Sequence, residues 1–392
     1  MRHYLIILLL GLLLGFLSAC KPPARLEAVQ LEIEPVSRYS YSEFHDKIAS
    51  PHALKSIGYI EQINVWQVEV KTADKELLLK VLQQNPEVKV CEVSQEMQLY
   101  SNDPMYSQQD YLFQLSVDKA WGLLKDYTNE VDVVVIDSGV NPGHEDMGEN
   151  VKGGYNAVSV SNINTEDGSG HGTSVAGVIA AIANNGKGIA GIGGNAKIIP
   201  IRVEDSKGKI YQFNIARALV YAADRRYRVA NLSLGSFYSS VALEKAVNYA
   251  AVFKVILVAA AGNEGTDKKS YPAAYNKVLS ISAINQLDML TWFSNRGDWI
   301  DFCAPGDRVL STSANGGYKK VSGTSFSSPI CAGVVALLLR VNPNLTYDQV
   351  YDILKRSSYD LGLEGYDRFY GWGRIDAHKA VQITIEEYAT TH

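Results

Sequence analysis

Four short stretches hold residues whose types and spacing suit acyl transfer. Gly323-Thr324-Ser325-Phe326-Ser327-Ser328-Pro329 feeds the apolar run Ile330 to Leu339. A small-residue turn leading into a buried helix presents one hydroxyl at a helix N-terminus, where unpaired N–H groups and the positive dipole end favour developing negative charge. Such a serine still needs a base within hydrogen-bond reach and donors aimed at the oxyanion it creates. His171 stands in Gly170-His171-Gly172-Thr173-Ser174-Val175-Ala176-Gly177, with a glycine on each side clearing space around the imidazole. Asp137 closes the run Val133-Val134-Val135-Ile136 and is followed by Ser138-Gly139. Alone, Asp137 reads more readily as a cap or turn aspartate, and His171 can be read as a structural histidine. Together the three supply a nucleophile, a base and a group that orients the base and stabilises imidazolium. Asn263, in Ala259-Ala260-Ala261-Gly262-Asn263-Glu264-Gly265, adds a side-chain amide that, with the Ser325 backbone N–H, makes an oxyanion hole. Loss of one such donor typically costs roughly 10²–10³ in turnover.

These residues need elements to hold them. From Ser101 onward the chain alternates apolar strands and helices, the pattern of a parallel sheet covered on both faces. Strands are expected at 131–136, 197–203, 229–234, 255–260 and 277–283. Helices are expected at 174–183, 214–225, 240–252, 328–341 and 346–357. Asp137 and Asn263 both follow strands, and function in such sheets gathers at strand carboxyl ends. Upstream, Val65 to Val70 and Val88 to Val93 alternate as half-buried strands. Lys75 to Gln84, with leucines at 77, 78, 79 and 82, reads as an amphipathic helix. This is a small α+β unit.

Composition narrows the class. At 392 residues the chain is long enough for a large domain and a smaller companion. Apolar residues at 46% and charged ones at 20% suit a globular protein. A net charge of −5 without a Lys/Arg cluster argues against nucleic acid as a partner, and the chain reads as a monomer.

The order Asp137, His171, Ser325 is the subtilisin order. With Asn263 added, residues 101 to about 380 resemble the subtilisin-like serine endopeptidases, in pattern their thermitase-like members. The departures are Ser174, where a second histidine commonly follows His-Gly-Thr, and Phe326-Ser327, where Met-Ala commonly follows the nucleophile. The resemblance implies a subtilisin-like α/β fold with a parallel sheet and helices on both faces. The unit before it is similar to the small, ferredoxin-like propeptides that chaperone and inhibit these proteases.

The resemblance also implies the binding surface. Ser233, Leu234 and Gly235 would form one wall of the S1 pocket, and Ala261, Gly262 and Asn263 the other. Lys207-Gly208-Lys209 would add an edge strand opposite, so that substrate binds extended. The small lining residues imply large apolar or aromatic P1 side chains. Asn184-Asn185-Gly186-Lys187-Gly188-Ile189 is an oxygen-rich loop of the kind a hard cation takes. The thermitase-like pattern implies a structural calcium held by Asp103, Asp146, the Asn185 side chain, and the carbonyls of Ile182, Lys187 and Ile189. A solvated Asn-Gly turn is the alternative. Glu96 to Ser101 is the expected self-cleavage segment, cut near Tyr100–Ser101, with the propeptide's end then acting as a product inhibitor.

At the N-terminus, Arg2 and His3 precede the apolar run Tyr4 to Leu17, typical of a signal h-region and short for a membrane span. Leu17-Ser18-Ala19-Cys20 resembles the lipobox of bacterial lipoproteins, implying a lipid on Cys20 and a membrane attachment. Lys21 after it points to the outer membrane of the cell envelope. The organisation is then a signal peptide over 1–19, a tether over 20–39, an inhibitory propeptide over 40–100 and a catalytic domain over 101–392. Cys91, Cys303 and Cys331 lack metal-ligand spacing, and Cys303 and Cys331 read either as buried free thiols or as a disulfide. Two competing functions are a membrane-tethered binding protein blocked by its own propeptide, and a peptide ligase or cyclase on the same fold. Hydrolysis is favoured over ligation because no long insertion is visible.

Overall fold

The computed structural model describes residues 27–72, 75–94, 101–159 and 161–389. The chain divides into two compact units, Met1–Gln98 and Leu99–His392. The signal segment, Cys20 and the Tyr100 side of the expected cut lie outside the described residues.

The first unit is an antiparallel sheet of four strands, β1 (Glu27–Pro35), β2 (Lys55–Ile60), β3 (Val65–Thr72) and β4 (Val88–Val93), in the order β2-β3-β1-β4. Short helical turns between Tyr41 and His52 follow β1, and the helix Lys75–Gln83 follows β3. This βαββαβ order is the ferredoxin-like arrangement. It corrects the expected tether, since residues 27–35 are a strand paired on both edges, with β3 and with β4. The physical reason is alternation: Val29, Leu31 and Ile33 all point into the core with Trp66, Val68 and Val70.

The second unit is built on seven parallel strands in the order β11-β10-β9-β8-β5-β7-β6. They are β5 (Asp132–Asp137), β6 (Tyr155–Asn156), β7 (Lys197–Arg202), β8 (Val229–Leu232), β9 (Ile256–Ala260), β10 (Val278–Ile284) and β11 (Phe302–Pro305). A hairpin of β12 (Val309–Thr312) and β13 (Tyr318–Val321) precedes the helix Thr324–Val341. The side chains of β5 show why its sequence is apolar from Val133 to Ile136. Val133 and Val135 enter the core shared with the helices His171–Ala180 and Thr324–Val341. Val134 and Ile136 enter a second core, against the helices Gln212–Asp224 and Val241–Val252. A strand buried on both faces has no polar side to show.

Strand order reverses around β5, with β7 on one side and β8 on the other. A crevice opens at such a switch point beyond the strand carboxyl ends. The five expected strands and five expected helices are present within a few residues. The expected helices at 174 and 328 begin earlier, at His171 and Thr324, so both chemical residues are helical. Cys303 and Cys331 are buried free thiols, as is Cys91. Burial pushes the Cys303 and Cys331 thiols well above the ordinary range, so neither is a nucleophile.

Candidate active site

Asp137 ends β5 and is 2% exposed. Its Oδ1 accepts from the Ser138 backbone N–H at 2.7 Å and lies 2.8 Å from His171 Nδ1. Oδ2 is buried and, among the described residues, has no hydrogen-bond partner. An acceptor-only carboxylate favours one imidazole tautomer: Nδ1 carries the hydrogen and Nε2 keeps its lone pair. The Asp137 charge holds the His171 pKa above its usual value, against the opposing effect of burial, and the Asp167 charge adds to it.

His171 is the first residue of its helix and follows Gly170, whose φ of +84° is a left-handed conformation that glycine adopts without strain. Gly172 is required for closeness, since a Cβ there would lie 2.1 Å from the Gly139 carbonyl oxygen. Glycine on both sides therefore lets the helix start press against the end of β5. Asp167, four residues before His171, ties this turn together. Its Oδ1 accepts from Ser138 Oγ and the Gly170 N–H, and its Oδ2 from the Thr173 N–H and hydroxyl, all between 2.6 and 2.7 Å. Sequence reading missed Asp167, although an aspartate shortly before a helix start is a capping signal.

Ser325 is the second residue of the Thr324–Val341 helix, so its N–H has no intrahelical acceptor. Its Oγ donates to the Ser233 carbonyl at 3.2 Å. Asn263 is placed by Thr324. The Asn263 Oδ1 accepts from the Thr324 N–H at 2.8 Å and from its hydroxyl at 3.0 Å, and that hydroxyl accepts from the Gly262 N–H at 3.0 Å. With Oδ1 committed, the Asn263 Nδ2 is the donor left over. Thr324 was legible only as part of a small-residue turn; its orienting work depends on β9 and the helix meeting in space.

The two unusual residues have structural explanations. Ser174 donates to the Thr312 carbonyl at 2.7 Å, fastening its helix to β12. The Phe326 ring lies 5.8 Å from the His171 ring, tilted by 51°, and sets an apolar surface beside the imidazole.

A cleft of about 380 Å³ opens beside Ser325 and Asn263. Of the residues selected for S1, Leu234, Gly235 and Gly262 line this cleft, joined by Phe237, Tyr238, Glu264 and Ser270, which the sequence reading did not select. Ser233 is buried beside the start of the Thr324–Val341 helix, and Ala261 is fully buried, with Ala260 lining the cleft instead. Alternation decides this: a neighbour in an extended segment points to the other face. Gly208 lies in a tight turn, φ +72°, with its N–H donating to the Asp205 carbonyl at 3.1 Å. The antiparallel bridge nearby is between Glu204 and Ile210, so the expected edge strand is the flank of this turn.

The six expected metal-site residues come together. Asp103 and Asp146 are buried, 4% and 0% exposed. Asp103 accepts from the Asn184 and Asn185 N–H groups, and Asp146 from the Ile189 N–H and the Asn185 side-chain amide, at 2.8 to 3.0 Å. Ile182 donates its N–H to the Asp146 carbonyl, and Lys187 its N–H to Asn185 Oδ1. Among the described residues neither carboxylate has a Lys or Arg partner. Burial holds the Asp146 carboxyl above its ordinary value, opposed by its hydrogen bonds, and the Asp103 charge raises it further. Two buried carboxylates without a Lys or Arg partner among the described residues, with the Asn185 amide bonded to one of them, have the donor chemistry that suits a hard cation.

Residues 128–373 match the subtilase family, peptidase S8. The chain belongs to the subtilase family. This subtilase is 36% identical over 318 residues to a thermophilic serine proteinase of Bacillus sp. (strain AK1), covering 80% of this chain and 77% of that one. It is 34% identical over 282 residues to thermitase of Thermoactinomyces vulgaris, covering 72% and 99%. A solved protease from Pseudoalteromonas arctica superposes with a TM-score of 0.66 at 28% identity, over 72% of this chain and 99% of the other. An epidermin leader peptide processing serine protease of Staphylococcus aureus shares the fold over 93% of this chain, with a TM-score of 0.65 at 22% identity. The subtilase is a serine endopeptidase, and its substrates are proteins or peptides.

Proposed function

We propose that this subtilase is exported as a lipid-anchored zymogen and cleaves peptide bonds through Ser325, His171 and Asp137. The observation that carries the catalytic assignment is the 2.8 Å contact between His171 Nδ1 and the buried Asp137. In the reaction, Ser325 Oγ attacks the scissile carbonyl and its proton passes to His171 Nε2. The oxyanion is met by the Ser325 N–H and Asn263 Nδ2. Collapse breaks the C–N bond as His171 returns the proton to the leaving amine. Water then repeats the sequence on the acyl-enzyme, with Ser325 as leaving group. Extended peptide backbone lies along Ser233 to Gly235, with a large apolar P1 side chain in the adjoining cleft.

The N-terminal proposal rests on residues outside the described structure. Cys20 carries the lipid, and self-cleavage near Tyr100–Ser101 separates it from the catalytic unit, giving a soluble protease from an anchored precursor. Intact mass of the purified Cys20→Ser chain, beside the same chain with Ser325→Ala, tests this. The expected result is a split near Tyr100 in the first chain alone. A split in both would assign processing to another protease, and a whole chain in both would leave the zymogen reading without support.

A structural calcium belongs to the same reading. Asp103, Asp146, Asn185 and the carbonyls of Ile182, Lys187 and Ile189 would hold it, and it would supply the positive charge that the two carboxylates lack. Metal bound to the folded state alone adds about 2.7 kcal/mol when free metal is 100-fold above its dissociation constant. For a unit of this size that is a rise of roughly 5–10 °C in melting temperature. A chelator is expected to remove it from the wild type and to change little in Asp146→Asn. Equal melting temperatures with and without calcium would end the proposal.

A further inference from the structure

Pro329 lies inside the Thr324–Val341 helix, four residues after Ser325. The Ser325 carbonyl would normally accept from the N–H of residue 329, and proline has none. The nucleophile's own carbonyl is therefore left open in the first turn of its helix, and a buried carbonyl requires a donor. Ser233, just past β8, supplies it: Ser233 Oγ donates to the Ser325 carbonyl at 2.7 Å.

A hydroxyl has one hydrogen and rotates freely, so something must direct it. Asn231, the third residue of β8, donates from Nδ2 to Ser233 Oγ at 2.9 Å. That bond takes up a lone pair and turns the hydroxyl hydrogen toward Ser325. The Asn231 amide is fixed in turn, because Ser328 Oγ donates to its Oδ1 at 2.7 Å. Ser328 is on the nucleophile's own helix, one residue before Pro329. Asn231 and Ser328 are fully buried and Ser233 is 4% exposed, so no water competes. The chain of donors runs in one direction, from Ser328 through Asn231 and Ser233 to the Ser325 carbonyl.

We infer that Asn231 is a positioning residue for the nucleophile, acting through Ser233 on the Ser325 carbonyl and held by Ser328. It touches neither substrate nor the reacting atoms. Its effect is on where the Ser325 Oγ and N–H stand relative to His171 and Asn263. Displacements of about 1 Å at such groups cost up to roughly 10²-fold in rate. The inference rests on Ser325 being the nucleophile.

The test is a double-mutant cycle on the purified protein with a fluorogenic peptide carrying an aromatic P1 residue. Asn231→Leu keeps the volume and removes both bonds. It is expected to lower kcat about 10- to 100-fold with KM within about twofold. In a Ser233→Ala background the same change is expected to cost no more than about a further twofold, because its route to Ser325 is already cut. The acid limb of the pH profile stays in place, since the His171–Asp137 pair is untouched. A folded Asn231→Leu protein with wild-type kcat, fully multiplicative losses in the double variant, or a shifted acid limb would each overturn the inference. If Asn231→Leu does not fold, Ser328→Ala enters the same cycle, with an expected loss of about 3- to 10-fold that vanishes beside Ser233→Ala. Peptide mapping of a phosphonate label separates the two levels. A label on a serine other than Ser325 defeats the nucleophile assignment, whereas a label on Ser325 with an unaffected Asn231→Leu defeats only the relay.

Discussion

Ser325→Ala is expected to lower kcat by about 10⁶, the scale seen when a triad serine is removed. The fold should be untouched, because the side chain gives up one hydrogen bond, the 3.2 Å contact to the Ser233 carbonyl. The Ser233 hydroxyl still meets the carbonyl of residue 325, so the helix start keeps its geometry. On the proposed mechanism, what is lost is the atom that forms the acyl bond. Residual rate of about 10³–10⁴ over water should remain from the oxyanion hole and substrate binding. The measurement is kcat on a fluorogenic peptide, with melting temperature as the control for folding. His171→Ala should cost nearly as much, and the double variant little more, because nucleophile and base act as one unit. Activity within tenfold of wild type in Ser325→Ala would remove this serine from the mechanism.

Asp137→Asn should reduce kcat by about 10⁴. The amide can turn its NH₂ toward Nδ1, which places the imidazole hydrogen on Nε2 and blocks the nitrogen that must accept the Ser325 proton. A second signature is pH dependence. The Asp137 charge is the largest cause holding His171 above the ordinary histidine value. Turnover needs the neutral imidazole, so the wild-type acid limb should fall above pH ~6.5. Without the carboxylate the limb should move to lower pH, while the plateau drops. Stability runs in the opposite direction. A raised folded-state pKa contributes stability that is fully present below the unfolded value of about 6.5 and fades as pH rises through the folded value. The enzyme is thus expected to be most active where this pair stabilises it least. An unmoved acid limb in Asp137→Asn would show that Asp137 does not face the titrating histidine.

The covered parallel sheet was legible because each of its main strands carries a largely apolar run with no repeating polar face. The four candidate residues stood out because small-residue surroundings suit places where backbone must approach backbone. Gly172 is an example: its closeness to the Gly139 carbonyl leaves no room for a Cβ. Residues 27–35 misled the reading, because a short alternating strand among prolines and charges carries little signal until β3 and β4 pair with it. Ala261 was expected in the cleft and is buried, since one residue in an extended segment decides which face a side chain takes.

By itself the sequence pointed to the reaction class, singled out Asp137, His171, Ser325 and Asn263 as the candidate chemical residues, and carried the apolar runs that build the sheet. Those depend on residue type and short spacing, which a chain displays locally. Only the tertiary structure decided how each is held. Thr324 faces Asn263 across about sixty positions of sequence, Asp167 gathers the turn before His171, and Asn231 reaches Ser325 through Ser233. Thr, Ser and Asn are common in turns and strand ends, so their types announce nothing. Their roles arise from hydrogen bonds between elements that meet only when the sheet and its helices close around the crevice beside β5.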